Sequence, residues 1–173
     1  YDYIAPATSC ILQDRLHLQR STGCIDMPYG CSGYVYGLAM AKSLIASGIA
    51  QKVLFVTADT STKTLPENNL ELRSIFSDAA TATLITKENH QQAGEFVFGT
   101  DGSGCHNIYI SRSAFREPMD AKFVEQEKLS NGKMIMDGME IFNFGLRVVP
   151  GLVKDTLEKN KLNVGDIDLF IFH

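Results

Sequence analysis

From Cys31 to Ser47, apolar residues recur at helical spacing, with Cys31, Tyr34, Val35, Leu38, Ala41 and Ile45 on one face. Gly33, Gly37, Ala39 and Ala46 keep much of the remaining surface small, and Lys42 is the one charge. This pattern predicts a helix buried on most sides, with another backbone packed close against its glycines and Gly48 as its stop. Lys52-Val53-Leu54-Phe55-Val56-Thr57-Ala58 then reads as a central strand, apolar on both faces. A buried helix, a short turn and a buried strand together indicate a layered α/β fold.

The flanking pattern extends this frame. Ile4, Ala7, Ile11 and Leu12 suggest a helix over residues 5–16, with Pro6 in its first turn. Arg20 to Gly23 is a turn, and Cys24 to Met27 a short strand ending at Pro28. Residues 60–74, with Pro66 and the pair Asn68-Asn69, read as a surface loop. Residues 76–80 lead into a strand at 81–86, followed by a hydrophilic turn at 87–94 and a strand at 95–99. Between Asp101 and Lys133 periodicity is weak, and the segment reads as a connection between two halves. Asp137 with Glu140 three residues on has the form of a capping box. Phe142, Leu146, Val149, Val153 and Leu157 follow on one helical face, with a kink or break expected at Pro150. Ile167 to Phe172 reads as a buried strand that carries His173 at its C-terminal end, where ligands meet α/β sheets. The organisation expected is residues 1–94 as the remainder of a first half, 95–133 as a connecting segment, and 134–173 as the start of a second half.

Composition narrows the class. The chain has 173 residues, 45% hydrophobic and 21% charged, the balance of a soluble globular protein. A formal charge of −4 gives no electrostatic reason to expect nucleic acid or an anionic membrane surface. No apolar run reaches transmembrane length. The N-terminus lacks a signal peptide's basic flank, so a cytoplasmic location is expected. The spacing of Cys10, Cys24, Cys31 and Cys105 fits no zinc pattern, so no metal is expected. Cys10, Cys24 and Cys105 read as structural thiols, and His17, His90 and His106 as surface residues. The absence of an initiator Met and the ending at His173 read as a fragment.

Candidate chemistry centres on Gly30-Cys31-Ser32-Gly33, a thiol between glycines where a strand meets a helix. A cysteine in the first turn of a helix would meet free backbone N–H groups and the positive end of the macrodipole, which favour the nucleophilic thiolate. On this reading the chain is organised to bury and activate Cys31. Asp78 reads as a turn or capping carboxylate that braces its strand.

Four stretches in order resemble the β-ketoacyl-acyl-carrier-protein synthase III branch of the thiolase superfamily: Asp26 to Gly33, Leu54 to Asp59, Phe76 to Ala82, and Met136 to His173. The resemblance implies an α/β, layered thiolase-like fold, with mixed sheets packed around buried helices, incomplete at both ends. It implies an acyltransferase in which an acyl-CoA primer acylates Cys31 and a malonyl-carrier protein condenses with that thioester, in fatty acid biosynthesis. His173 would be the imidazole that stabilises the developing enolate or oxyanion. Gly138, Phe142 and Ile75 would line the pantetheine tunnel. No permanently bound cofactor is implied: acyl-CoA and the phosphopantetheine of acyl carrier protein are substrates, and the expected assembly is a homodimer. The family's motif Asn and its glycine-rich oxyanion loop lie beyond the His173 position, so this stretch is expected to lack full condensing activity. Ser77 and Ala79 stand where the family usually has glycines. Two alternatives stay open: a non-catalytic module that binds an acyl chain or a partner, and a condensing enzyme of the same superfamily acting on CoA-bound substrates.

Overall fold

A computed structural model describes residues 3–88, 93–110 and 132–173. Among these, helix α1 spans Thr8–Arg15, α2 Gly33–Ala46, α3 Leu70–Ile75 and α4 Gly138–Lys159. Strands β1 (Lys52–Thr60) and β2 (Asp78–Thr86) pair antiparallel in continuous register, from Lys52 opposite Thr86 to Thr60 opposite Asp78. Two three-residue strands, β3 (Ile108–Ile110) and β4 (Met134–Met136), form a second antiparallel pair.

Helix α2 lies on the β1–β2 ribbon through a narrow stripe. Tyr34 stacks on Phe55 with ring centroids 5.5 Å apart, and its hydroxyl is 3.3 Å from that of Thr83, the cross-strand partner of Phe55. Gly37 and Ala41 are the buried positions of the helix. Tyr34, Val35 and Met40 are exposed, so the expectation of burial on most sides is corrected: the two-stranded ribbon covers one face only. What fills the space at Gly37 is the Phe55 ring rather than another backbone. Gly48 ends the helix as expected, with φ of 77° and its N–H on the Ile45 carbonyl.

The ribbon also differs from the expected central strand. Burial in β1 alternates, with Val53, Phe55 and Thr57 turned inward and Leu54 and Val56 exposed, because an antiparallel pair backed by one helix has only one covered face. The segment read as a surface loop holds more order than its polarity suggests. Ser61–Thr64 forms a 3₁₀ turn, and Asn69 caps α3 by accepting the Leu72 N–H at 2.9 Å. Leu65 and Leu72 are buried. The Asn68-Asn69 pair, a loop signal in sequence, is thus a helix start. Asp78 braces this region as expected, its carboxylate accepting the Thr62 N–H at 2.8 Å and the Thr62 hydroxyl at 2.7 Å.

Asp137 caps α4 by accepting the Glu140 N–H at 3.1 Å. The reciprocal half of the capping box is replaced: the Asp137 N–H donates to the Asn107 carbonyl at 2.7 Å, extending the β3–β4 ladder into the cap. Helix α4 runs through Pro150 without a break. Phe142 and Leu146 on its expected apolar face are exposed, and none of its residues is buried. α1 begins at Thr8, after Pro6 rather than around it.

Three segments read as strands, at 24–27, 95–99 and 167–172, carry no ladder. Their backbones keep the side-chain alternation of a strand, however. Phe96 and Phe98 stack 6.0 Å apart with planes 9° from parallel, and Phe170 and Phe172 likewise at 6.0 Å and 4°. Spacing of two brings both rings of each pair to one side. Residues 167–172 are not buried: Leu169, Ile171 and Phe172 are largely exposed, since no neighbouring strand pairs with them among the described residues. The turn at 87–94 and the connection at 101–133 fall in part outside the described residues, as does His90.

Side chains do for residues 93–96 what a ladder does elsewhere. Lys42 of α2 donates to the Gly94 carbonyl at 2.9 Å and pairs with Glu95 at 3.2 Å. From the end of α4, Lys159 donates to the Phe96 carbonyl at 3.0 Å. Asn160 accepts the Glu95 N–H at 2.7 Å and donates to the carbonyls of Glu95 at 3.0 Å and Thr156 at 2.8 Å. A Cβ on Gly94 would collide with the Asn160 amide oxygen, so a side chain there would displace that amide from its bonds. Asn160→Asp keeps the shape but loses both donated bonds and turns a carboxylate on two carbonyls. It is expected to cost about 1–2 kcal/mol in urea denaturation, and an unchanged midpoint would show that the clamp carries no stability.

Candidate active site

The chain enters the candidate site through Met27-Pro28-Tyr29, where the Tyr29 N–H returns to the Met27 carbonyl at 2.9 Å. A tight turn follows: the Gly33 N–H donates to the Gly30 carbonyl at 2.8 Å, leaving Cys31 and Ser32 at its two central positions. A Cβ on Gly33 would lie 3.2 Å from that of Tyr29, so glycine lets the chain fold back on itself. Helix α2 starts at Gly33, two residues later than the apolar spacing suggests. Ser32 occupies the N-cap without a side-chain hydrogen bond, and the first turn of the helix is left without a side-chain cap.

Cys31 is exposed, which corrects the expectation of a buried thiol. Cys10 and Cys105 are exposed too and Cys24 is half-buried, so the three cysteines read as structural are not core thiols. His106 is on the surface as expected, set edge-on to Tyr109.

An aromatic column missed from sequence runs away from the Cys31 turn. Tyr29 stacks on Tyr36 at 4.6 Å, Tyr36 on Phe98 at 4.3 Å and Phe98 on Phe96, where the Lys42 ammonium lies 5.8 Å from the ring centroid. It couples the residue before Gly30 to the body of α2 and to the clamped segment. The legible signal was the Phe96-x-Phe98 spacing, which places two rings on one side of an extended chain.

The remaining candidates fall in two places. A Cβ on Gly138, at the head of α4, would lie 2.9 Å from Oε1 of Glu71 in α3, so the structure sets Gly138 against the helix that ends in Ile75. Phe142, one turn further along α4, and Ile75 are both exposed. His173 is exposed at the end of the unpaired 167–172 segment. Among the described residues no group of three or more His, Cys, Asp or Glu side chains could hold a metal ion.

Carboxylates give the chain its main electrostatic signature. Backbone and hydroxyl bonds from Thr62 hold Asp78 below the ordinary carboxylate range. Bonds from the hydroxyl and N–H of Ser103, aided by Arg147 at 3.0 Å, do the same for Asp101. Both groups are depressed relative to the unfolded chain, so their contribution is complete above the ordinary carboxylate value and is lost as pH falls through the folded ones. Urea midpoints are expected to stay level from neutral pH down to about pH 5 and to drop below about pH 4. A midpoint that rises on acidification would contradict the assignment.

A thiol on a glycine-flanked turn at the head of a helix, with that helix laid on an antiparallel ribbon, is the arrangement of the layered thiolase-type α/β fold. Solved structures agree: a 3-oxoacyl-(acyl-carrier-protein) synthase III superposes with a TM-score of 0.90 at 37% identity, over 98% of this chain and 52% of that one. The corresponding synthase from Burkholderia xenovorans LB400 gives 0.88 at 36%, over 99% and 49%. Residues 25–102 match the family model described as 3-oxoacyl-[acyl-carrier-protein (ACP)] synthase III. The β-ketoacyl-[acyl-carrier-protein] synthase III 2 of Bacillus subtilis is 33% identical over 99% of this chain and 51% of its own length. Over nearly its whole length the chain is similar to 3-oxoacyl-[acyl-carrier-protein] synthase III proteins and shares their fold. It spans about half the length of the curated relatives it matches.

Proposed function

We propose that this chain carries the acyl-accepting half of a condensing enzyme: Cys31 takes an acyl group from an acyl-CoA primer, and malonyl-carrier protein then undergoes Claisen condensation with the thioester. The observation that carries this reading is the exposed Cys31 thiol, held on a Gly30–Gly33 turn at the uncapped start of α2, within the stretch that matches the family. The Cys31 sulfur attacks the thioester carbonyl, a tetrahedral oxyanion forms, and coenzyme A leaves as its thiolate. N–H groups at the start of α2 that no side chain caps are the donors this reading assigns to that oxyanion.

In this reading His173 supplies an imidazole to the condensation step, and Gly138, Phe142 and Ile75 line the path of the pantetheine arm. The approach of Glu71 to Gly138 supports a shared wall, since it brings together α3 and α4, the two helices that carry these three residues. The division into 1–94, 95–133 and 134–173 belongs to the same reading, as do acyl carrier protein as partner, a homodimeric assembly and a cytoplasmic location. Among the described residues no helix is long and apolar enough to cross a membrane.

The test is incubation of the chain with acetyl-CoA followed by peptide mass spectrometry. An acetyl group on the Cys31 peptide, with release of free coenzyme A, is the expected result. Acetylation spread evenly over Cys10, Cys24, Cys31 and Cys105, or absent from all four, would remove the basis for the assignment.

A further inference from the structure

Away from the Cys31 turn, the first turn of α1 is docked on the segment that leads into it. The Thr8 and Ser9 N–H groups donate to the two carboxylate oxygens of Asp26 at 2.6 and 2.8 Å. No side chain caps α1 locally, so Asp26 supplies the negative charge its N-terminus favours. Burial opposes the charged form of Asp26, and hydrogen bonds from Ser9 and Thr8 outweigh it, holding the carboxyl below its ordinary range.

Exposure alternates along this segment: Cys24 and Asp26 are half-buried and Ile25 between them is exposed. An extended chain puts residues two apart on one side, so Cys24 faces α1 together with Asp26. Cys10 follows Ser9 directly in the docked turn and Cys24 lies two residues before Asp26, so the two cysteines flank the bonds to Asp26; the Cys24 thiol donates to the Thr22 carbonyl at 3.7 Å.

We propose that Cys10 and Cys24 are a dithiol–disulfide pair, oxidised by peroxide, that fastens α1 to the segment carrying Cys31. Exposed Cys10 is the site of first attack. Its thiolate sulfur bonds to one peroxide oxygen, the O–O bond breaks, and hydroxide leaves, giving the sulfenic acid. The Cys24 sulfur then attacks the Cys10 sulfur, the S–O bond breaks, and the departing hydroxide carries off the Cys24 proton as water. In sum, two thiols and hydrogen peroxide give one disulfide and two waters. Burial, with Cys10 and Asp26 close by, raises the Cys24 thiol above its ordinary value. That suits a resolving partner rather than a first nucleophile.

The experiment treats the fully reduced chain with equimolar hydrogen peroxide, alkylates the remaining thiols and maps the peptides. The expected product is a monomer that has lost two hydrogens, with Cys10 linked to Cys24 and alkyl groups on Cys31 and Cys105. The same treatment in denaturant is expected to favour Cys24–Cys31, the shortest loop, so a linkage unchanged between native and denatured chains would overturn the proposal. Native Cys24–Cys31 linkage, intermolecular disulfides, or survival of both thiols would overturn it as well. Cys24→Ser provides a second test that needs no disulfide: Cys10 sulfenic acid should accumulate and be trapped by a cyclic 1,3-dione, and trapping no greater than in the unsubstituted chain would count against Cys24 as the resolving thiol.

Discussion

Cys31→Ala lowers the rate of acyl transfer from acetyl-CoA to the protein by at least about a thousandfold, the scale of losing a covalent nucleophile. The expectation rests on the proposed thioester and on the geometry of the turn. Cys10 lies in the first turn of α1, whose Thr8 and Ser9 N–H groups are taken by Asp26, whereas Cys31 precedes α2, whose first turn no side chain caps. Cys31→Ser separates nucleophilicity from shape. The hydroxyl retains the size of the side chain but is a far weaker nucleophile than a thiolate near neutral pH, so it should be nearly as inactive. The measurement is coenzyme A release followed with a thiol reagent after rapid separation, alongside the mass of the Cys31 peptide. Transfer by Cys31→Ala at a tenth of the original rate or more would mean another group accepts the acyl chain. Urea midpoints should stay within about 0.5 kcal/mol of the original, because an exposed side chain outside the packed stripe is replaced.

Gly37→Ala destabilises the fold although alanine is the better helix former. A Cβ built on Gly37 stands 2.7 Å from Cε1 of Phe55, with Cε2 and Cζ closer still, and Gly37 is one of the two buried positions of α2. Helix propensity favours the substitution by about 1 kcal/mol. Forcing the Phe55 ring aside costs about 1–3 kcal/mol, because that ring is already committed to its stack on Tyr34. The net expectation is a loss of up to about 2 kcal/mol, read from the urea midpoint at constant slope. The sign should reverse once the ring is gone. In a Phe55→Ala background the same Gly37→Ala change should stabilise by its propensity alone, about 1 kcal/mol. A double-mutant cycle with no coupling between the two positions would show that Phe55 does not dictate the glycine.

These two sites also mark what the sequence could disclose. The body of α2, its stop at Gly48, the Asp137 cap and the greater part of the two ribbon strands, expected at 52–58 and 81–86, were legible because period, cap chemistry and turn residues act over a few neighbours. Burial was less so. Apolar residues on several sides of α2 state what could be covered, while the ribbon covers only the Gly37–Ala41 stripe and leaves Tyr34, Val35 and Met40 exposed. Residues 24–27, 95–99 and 167–172 have the alternation of strands, but a ladder requires a second strand that local pattern cannot supply. Their rings still align, and Lys42 and Asn160 hold one of the three in place of a neighbour. Conversely, the polar 60–74 stretch concealed Leu65 and Leu72, since three leucines at 65, 70 and 72 among Pro, Asn and Glu give no sustained period to count.

The candidate site divides the same way. Cys31 was found because glycines on both sides of a thiol at a helix head form a local chemical pattern. Gly138, Phe142, Ile75 and His173 came from resemblance, and Glu71 of α3 stands against Gly138. The stack from Tyr29 to Phe96 joins residues far apart in sequence, a relation that no spacing rule expresses.

That stack makes the turn optically visible. The chain has no tryptophan, so its near-ultraviolet spectrum belongs to tyrosine and phenylalanine. Of its six tyrosines, Tyr29 and Tyr36 stand face to face beside Cys31, close enough for their transitions to couple. Near-ultraviolet circular dichroism therefore carries a signal from the loop that presents the thiol, and a chemical event at Cys31 that shifts Tyr29 can be followed without any added label.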